Sequence, residues 1–147
     1  MKEPSNLNTL VSSMEPTLLE GQYVFCTVAR DKRKSLTLEP WVEIHEAEGV
    51  SMILKKEEAA REKLEAHFPS RLIRLKVSPR FDGVGFLAVI ATRLATHGIP
   101  LQPLAGFYHG YLFVPTDRAD ESVKLLEGLA LEYRKTRGAG EELRGHM

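Results

Sequence analysis

The sequence predicts an α+β fold of the ferredoxin-like βαββαβ type, with antiparallel sheets carrying helices on one face. Three observations predict it. From Leu72 onward the apolar pattern runs strand, helix, strand, strand, helix, a split βαβ unit short of its last strand. Before Leu72 it runs helix, strand, strand, strand, helix. Each helical segment carries its apolar residues as one stripe, so the helices cover one side of a sheet. A chain of 147 residues accommodates two small lobes with adjoining or shared sheets. Their expected bounds are residues 1–69 and 70–135, followed by a disordered tail at 136–147, where glycine and charge dominate.

Each element has its own local signal. Residues 6–14 place Leu7, Leu10, Val11 and Met14 at helical spacing, with Ser5 as N-cap and Pro16 just beyond. Glu20 and Gly21 form a turn, and residues 23–28 are β-branched, aromatic and strand-like. The charge run at 30–34 reads as a solvated loop. Residues 41–46 and 50–54 form two strands joined by an acidic turn, Glu46 to Gly49. Residues 55–67, rich in Ala, Glu and Lys, read as a helix stopped by Pro69.

The second half is read the same way. Residues 72–77 alternate, with Leu72, Arg74 and Lys76 assigned to a solvated face. Residues 86–97 form a helix with Phe86, Val89, Ile90 and Leu94 inward and Gly98 as C-cap. Residues 99–106 and 111–115 are strands turned at Tyr108, His109 and Gly110. Ala119, Val123, Leu126, Ala130 and Tyr133 mark the last helix.

Composition narrows the function classes. The chain is 43% hydrophobic, enough for a core without disulfides or metal. Lys+Arg and Asp+Glu are both 20, so the basic footprint of a nucleic-acid binder is missing. The aromatic strand around residues 107–113 lacks the Lys/Arg that opens an RNA-recognition strand. No apolar run is long enough to span a bilayer, and polar residues 1–9 do not read as a signal peptide. The expectation is a cytoplasmic protein that binds neither nucleic acid nor membrane. One cysteine, Cys26, excludes an internal disulfide; mid-strand among apolar neighbours it reads as a small hydrophobe. His45, His67, His97, His109 and His146 are scattered, and no metal or other cofactor is expected.

The most informative stretch is the loop from Ser78 to Gly85, where a strand gives way to a helix through Asp82, Gly83, Val84 and Gly85. Unpaired N–H groups at a helix start carry partial positive charge, and glycine lets a ligand approach them closely. A carboxylate or phosphate suits such a place. The plain alternative is a tight turn. The stretch is not a dinucleotide-binding fingerprint.

Asp82, Gly83, Val84, Gly85, Phe86 and Leu87, the helix with Leu94 and Ala95, and then Gly98 and Ile99 resemble the ACT domain, a small ferredoxin-like regulatory module that binds amino acids. Val84 stands where that signature commonly has proline. Over residues 7–126 the chain is similar to uncharacterised tandem ACT-like proteins. The likeness rests on residues 23–27, 46–51, 84–86, 105–109 and 112–115 taken together. Those proteins more often have Asp and His where this chain has Gly110 and Tyr111.

The resemblance implies an amino-acid or related small-metabolite sensor without catalytic activity, acting as a homodimer or through a partner. It implies that backbone N–H groups of Asp82, Gly83, Val84 and Gly85, with Phe86 beside them, hold a ligand carboxylate. Ile99 and Leu101 are candidate pocket walls, with ordinary core as the alternative. Glu48, next to Gly49 in the acidic turn, is a candidate for a ligand ammonium group on charge alone; a solvated turn is the alternative. The competing reading of the whole chain is a structural protein–protein interaction module with a vestigial pocket.

Overall fold

The computed structural model describes residues 6–77 and 83–145. The elements are α1 (Leu7–Ser12), β1 (Thr17–Leu18), β2 (Tyr23–Val28), α2 (Arg30–Ser35), β3 (Val42–His45), β4 (Val50–Lys55), α3 (Lys56–Arg61), β5 (His67–Leu75), α4 (Phe86–Thr96), β6 (Gln102–Ala105), β7 (Gly110–Pro115), a 3-10 turn (Thr116–Arg118) and α5 (Ala119–Gly145). The strands make one antiparallel sheet in the order β3-β4-β2-β5-β7-β6, with β1 also pairing β5. The α+β ferredoxin-like class is as expected.

The order contains the ferredoxin pattern twice around a shared strand. β2, α2, β3, β4, α3 and β5 give the strand order β3-β4-β2-β5. β5, α4, β6, β7 and α5 give β6-β7-β5, and the strand that the sequence reading found missing is β1, paired to β5 through Thr17↔Arg74 and Leu18↔Ile73. Residues 7–18 therefore complete the C-terminal half. Leu10, Val11 and Met14 pack in one buried cluster with Ile73, Leu75, Phe86, Ile90, Leu94 and Leu126. The expected boundary between residues 69 and 70 falls inside β5.

Local differences have local causes. Asn6 caps α1, its side chain accepting from the Thr9 N–H at 3.1 Å; Ser5 lies outside the described residues. The charge run is the helix α2: Arg and Lys are good helix formers, and Asp31 in the first turn with Lys32, Arg33 and Lys34 in the last match the helix dipole. α3 ends at Arg61, six residues before His67. Its stop is a Schellman turn at Lys63, in the left-handed region at φ 56, with Leu64 N–H donating to Ala59 O at 2.9 Å. No glycine announces it. Pro69 lies within β5, where the pairing to β2 shifts between Tyr23↔Ser70 and Phe25↔His67; an irregularity tolerates proline's missing N–H. α4 ends at the predicted place, with Gly98 at φ 70 and Ile99 N–H on Leu94 O. β6 is shorter than predicted, the turn runs from Gly106 to His109, and Gly110 already belongs to β7. α5 continues to Gly145, through the segment whose composition predicts disorder.

The largest difference is on the sheet face away from the helices. Leu72, assigned to a solvated face, is fully buried with Tyr23 and Phe113. Alternation along β2 explains the two sides: Val24, Cys26 and Val28 join the cluster that packs with Ala59 of α3, while Tyr23 and Phe25 point the other way. Phe113 meets Tyr23, Phe25 and Trp41 edge to face, at centroid distances of 5.6, 5.7 and 5.8 Å. Trp41, next to the edge strand β3, also reaches Tyr111 at 4.8 Å. The curled sheet brings aromatic rings from both halves together, and they form a seam between them.

Candidate functional site

α4 begins behind Gly85, its N-cap, held at φ 86. A side chain rarely adopts that conformation, and glycine offers none to cap the helix. The first intrahelical bond runs from Val89 N–H to Gly85 O at 3.0 Å. The first turn contains no acidic residue. Among the described residues, neither an N-cap side chain nor a first-turn acid takes up the donors and partial positive charge of this helix start. Val84 beside it is 80% exposed.

A cavity of about 260 Å³ adjoins the start of α4. Leu75, Phe86, Ile90 and Leu112 form a buried apolar floor. Leu87 and the end of β6, Leu104 and Ala105, form its rim. Gly110 closes the floor and ties β7 to the end of β5, its N–H donating to Val77 O at 3.0 Å. A Cβ at Gly110 would stand 3.4 Å from both Leu75 Cδ1 and Val77 O, so the position is snug.

The expected site residues separate. Gly83, Val84, Gly85 and Phe86 meet at the α4 start; Asp82 lies outside the described residues. Glu48 and Gly49 lie at the other end of the sheet. β2 runs antiparallel to β5, so the end of β2 at Val28, against which Gly49 packs, is remote from Leu75 and Gly110. Within one chain, Glu48 and the start of α4 therefore lie at opposite ends of the sheet. Ile99 is buried core at the opposite end of α4, and Leu101 packs against the same core. Neither lines the cavity.

The corner that holds Glu48 corresponds in topology to the cavity corner, but Arg30 bridges it. The Arg30 guanidinium, at the start of α2, donates to Glu46 O at 2.6 Å. Glu46 and Gly49 exchange backbone hydrogen bonds of 2.9 and 3.3 Å, and the Ser51 hydroxyl donates to the Glu46 carboxylate. A Cβ at Gly49 would stand 2.7 Å from Val28 O, so this turn requires glycine.

Sequence reasoning missed the cavity walls. One signal was present: Leu87 is apolar yet falls off the inward stripe of α4 and is 47% exposed. Other candidates take structural roles. Cys26 is buried, and burial pushes its thiol up from its ordinary pKa, which keeps it protonated and unreactive. His45 faces Glu43 at 3.4 Å on the surface. Among the described residues, no three His, Cys, Asp or Glu side chains gather to hold a metal, and no helix is long and apolar enough to cross a membrane.

Comparison with known proteins adds the following. The ACT domain profile matches residues 4–71, one match rather than two. The structure of a Vibrio cholerae protein of unknown function, described as a possible transport protein, is 39% identical, with a TM-score of 0.75 and coverage of 84% of this chain and 95% of that one. The regulatory subunit of aspartate kinase from Thermus thermophilus, in its ligand-free form, is 8% identical with a TM-score of 0.57, covering 80% of this chain and 97% of that one. The aspartate kinase of Clostridium acetobutylicum is 11% identical with a TM-score of 0.59; the match covers 78% of this chain and 33% of that enzyme. At those identities the kinases share the fold alone. No curated protein matches the sequence significantly.

Proposed function

This chain carries an ACT domain and belongs to the same family as the Vibrio cholerae protein, and we propose from that premise that it is a regulatory or sensor protein that binds an amino acid and has no catalytic activity of its own. The observation that carries this reading is the glycine-capped start of α4 opening on a cavity. The ligand carboxylate accepts hydrogen bonds from the first N–H groups of α4, where the helix dipole favours negative charge. The likeness in fold to regulatory subunits of aspartate kinase supports the same reading. The C-terminal half is then a second, diverged ACT-like lobe, supported by the repeat of strand order around β5. The protein works in the cytoplasm as a homodimer, or passes its signal to a partner.

The test is a thermal-shift screen of the twenty proteinogenic amino acids at millimolar concentration, since a ligand that binds only the native state raises Tm by mass action. At least one amino acid raises Tm, and Gly85→Asp, which sets a carboxylate against the same N–H groups, abolishes the rise. A flat screen overturns the reading. The competing reading, an interaction module, is favoured by the exposed apolar side chains Val84, Leu87, Leu104 and Tyr108. It predicts that Gly85→Asp leaves partner binding intact.

A further inference from the structure

The cavity beside α4 also speaks to which amino acids fit. Resting on the reading of that helix start as a ligand site, we propose that the ligand class is amino acids with large apolar side chains, of leucine or phenylalanine size. The floor is hydrocarbon throughout: Leu75, Phe86, Ile90 and Leu112 are each at most 4% exposed. Among the described residues lining the cavity, none is charged. A lysine or glutamate side chain entering here gives up its hydration and finds no counter-charge among the described lining residues, which is a large cost. An apolar side chain covers the exposed carbon of Leu87 and Leu104 at the rim, and each added methylene it buries improves its affinity.

The contrast with the other end of the sheet strengthens the assignment. There the equivalent corner presents Arg30 and the Glu46 and Glu48 carboxylates, and it is closed by the Arg30 bond to Glu46 O. The polar corner is bridged by Arg30 and the open corner is apolar. Gly110 helps set the size of the open one, because a side chain at that position would start 3.4 Å from Leu75 and Val77 O.

The experiment is calorimetric titration of the full chain with L-leucine, L-phenylalanine, L-alanine, L-lysine and L-glutamate. Leucine binds at least about 10-fold more tightly than alanine, the discrimination that even one methylene earns in an apolar pocket, and lysine and glutamate bind more weakly still. Ala105→Asp, at an exposed rim position, weakens leucine at least about 10-fold by leaving a carboxylate to be desolvated against it. Leu87→Asp repeats the test from the helix side and places its charge in the first turn of α4, which suits the fold. Tighter binding of lysine or glutamate than of leucine overturns the apolar class and leaves amino-acid binding standing. No binding by any of the five, together with a flat twenty-amino-acid screen, removes both. Leucine binding untouched by either variant overturns the placement of the side chain in this cavity.

Discussion

In the N-terminal half the six-residue helix α2 starts with Arg30, whose guanidinium crosses to the β3–β4 turn and holds the Glu46 carbonyl at 2.6 Å. In the C-terminal half the eleven-residue helix α4 starts behind Gly85, which has no side chain to cross with, and a cavity of about 260 Å³ opens toward β6 and β7. The turn glycines differ in the same sense. A Cβ at Gly49 would press on the Val28 carbonyl at 2.7 Å, whereas one at Gly110 would meet Leu75 and Val77 at 3.4 Å. One topology thus yields a closed corner that stabilises and an open corner that suits a ligand.

The largest effect is expected at the seam that joins the halves. Phe113, on β7 of the C-terminal half, is fully buried against Tyr23, Phe25 and Trp41 of the N-terminal half. Phe113→Ala should cost about 3–5 kcal/mol, the usual penalty for removing a buried aromatic ring. Because β5 serves both halves, urea denaturation should remain a single transition for this variant. Two separated transitions would show that the halves are independent and would break the comparison at its base.

The corners come next. Gly49→Ala forces a backbone carbonyl to move and should destabilise by about 1–3 kcal/mol, as overpacking does. Gly110→Ala needs a shift of a few tenths of an ångström and should cost no more than about 1 kcal/mol. Equal losses in the two variants, measured by chemical denaturation, would mean that the corners are alike after all. Arg30→Ala should cost about 0.5–1.5 kcal/mol, the net value of one hydrogen bond, and should leave ligand binding at α4 unchanged.

How much of this was legible follows from which signals are local. Amphipathic spacing marked α1, α4 and α5, β-branched and aromatic composition marked β2, and alternation marked β5, because those signals are local. The left-handed stop at Lys63 was hidden, since lysine there carries no sequence signal and only the backbone bonds of the turn mark it. The buried second face was hidden for a different reason: Leu72, Tyr23 and Phe113 are far apart in sequence and meet only when the sheet curls. The same holds for β1, whose two residues give no periodicity and find their place only beside β5. At the site, the glycine-bounded helix start was readable. Glu48 was singled out on charge alone, which does not say at which end of a sheet a turn lies.

The smallest effect is the N-terminal half's share of an acid-side pH dependence, to which the C-terminal half adds through Glu121 and Glu132, held down by Arg118 and Arg93. The hydrogen bond from Arg33 holds the Glu43 carboxyl below its ordinary pKa, with the Arg33 charge and then His45 adding to it. A carboxyl with a depressed folded pKa contributes stability above its unfolded pKa, about 4.3, and loses it as pH falls through the folded value. Tm should fall across that acid window, and Arg33→Gln should flatten the fall without touching ligand binding. An unchanged profile in Arg33→Gln would remove this pair from the account.

The central claim, that the open corner and not the closed one receives the ligand, is tested most directly by amide NMR shifts during titration with L-leucine. Shifts concentrated at Gly83 to Leu87 and at Ala105, Gly110 and Leu112, with Arg30 and Glu46 to Gly49 unmoved, are the predicted result. Shifts centred on Arg30 and Glu48, or none at millimolar leucine, would contradict it.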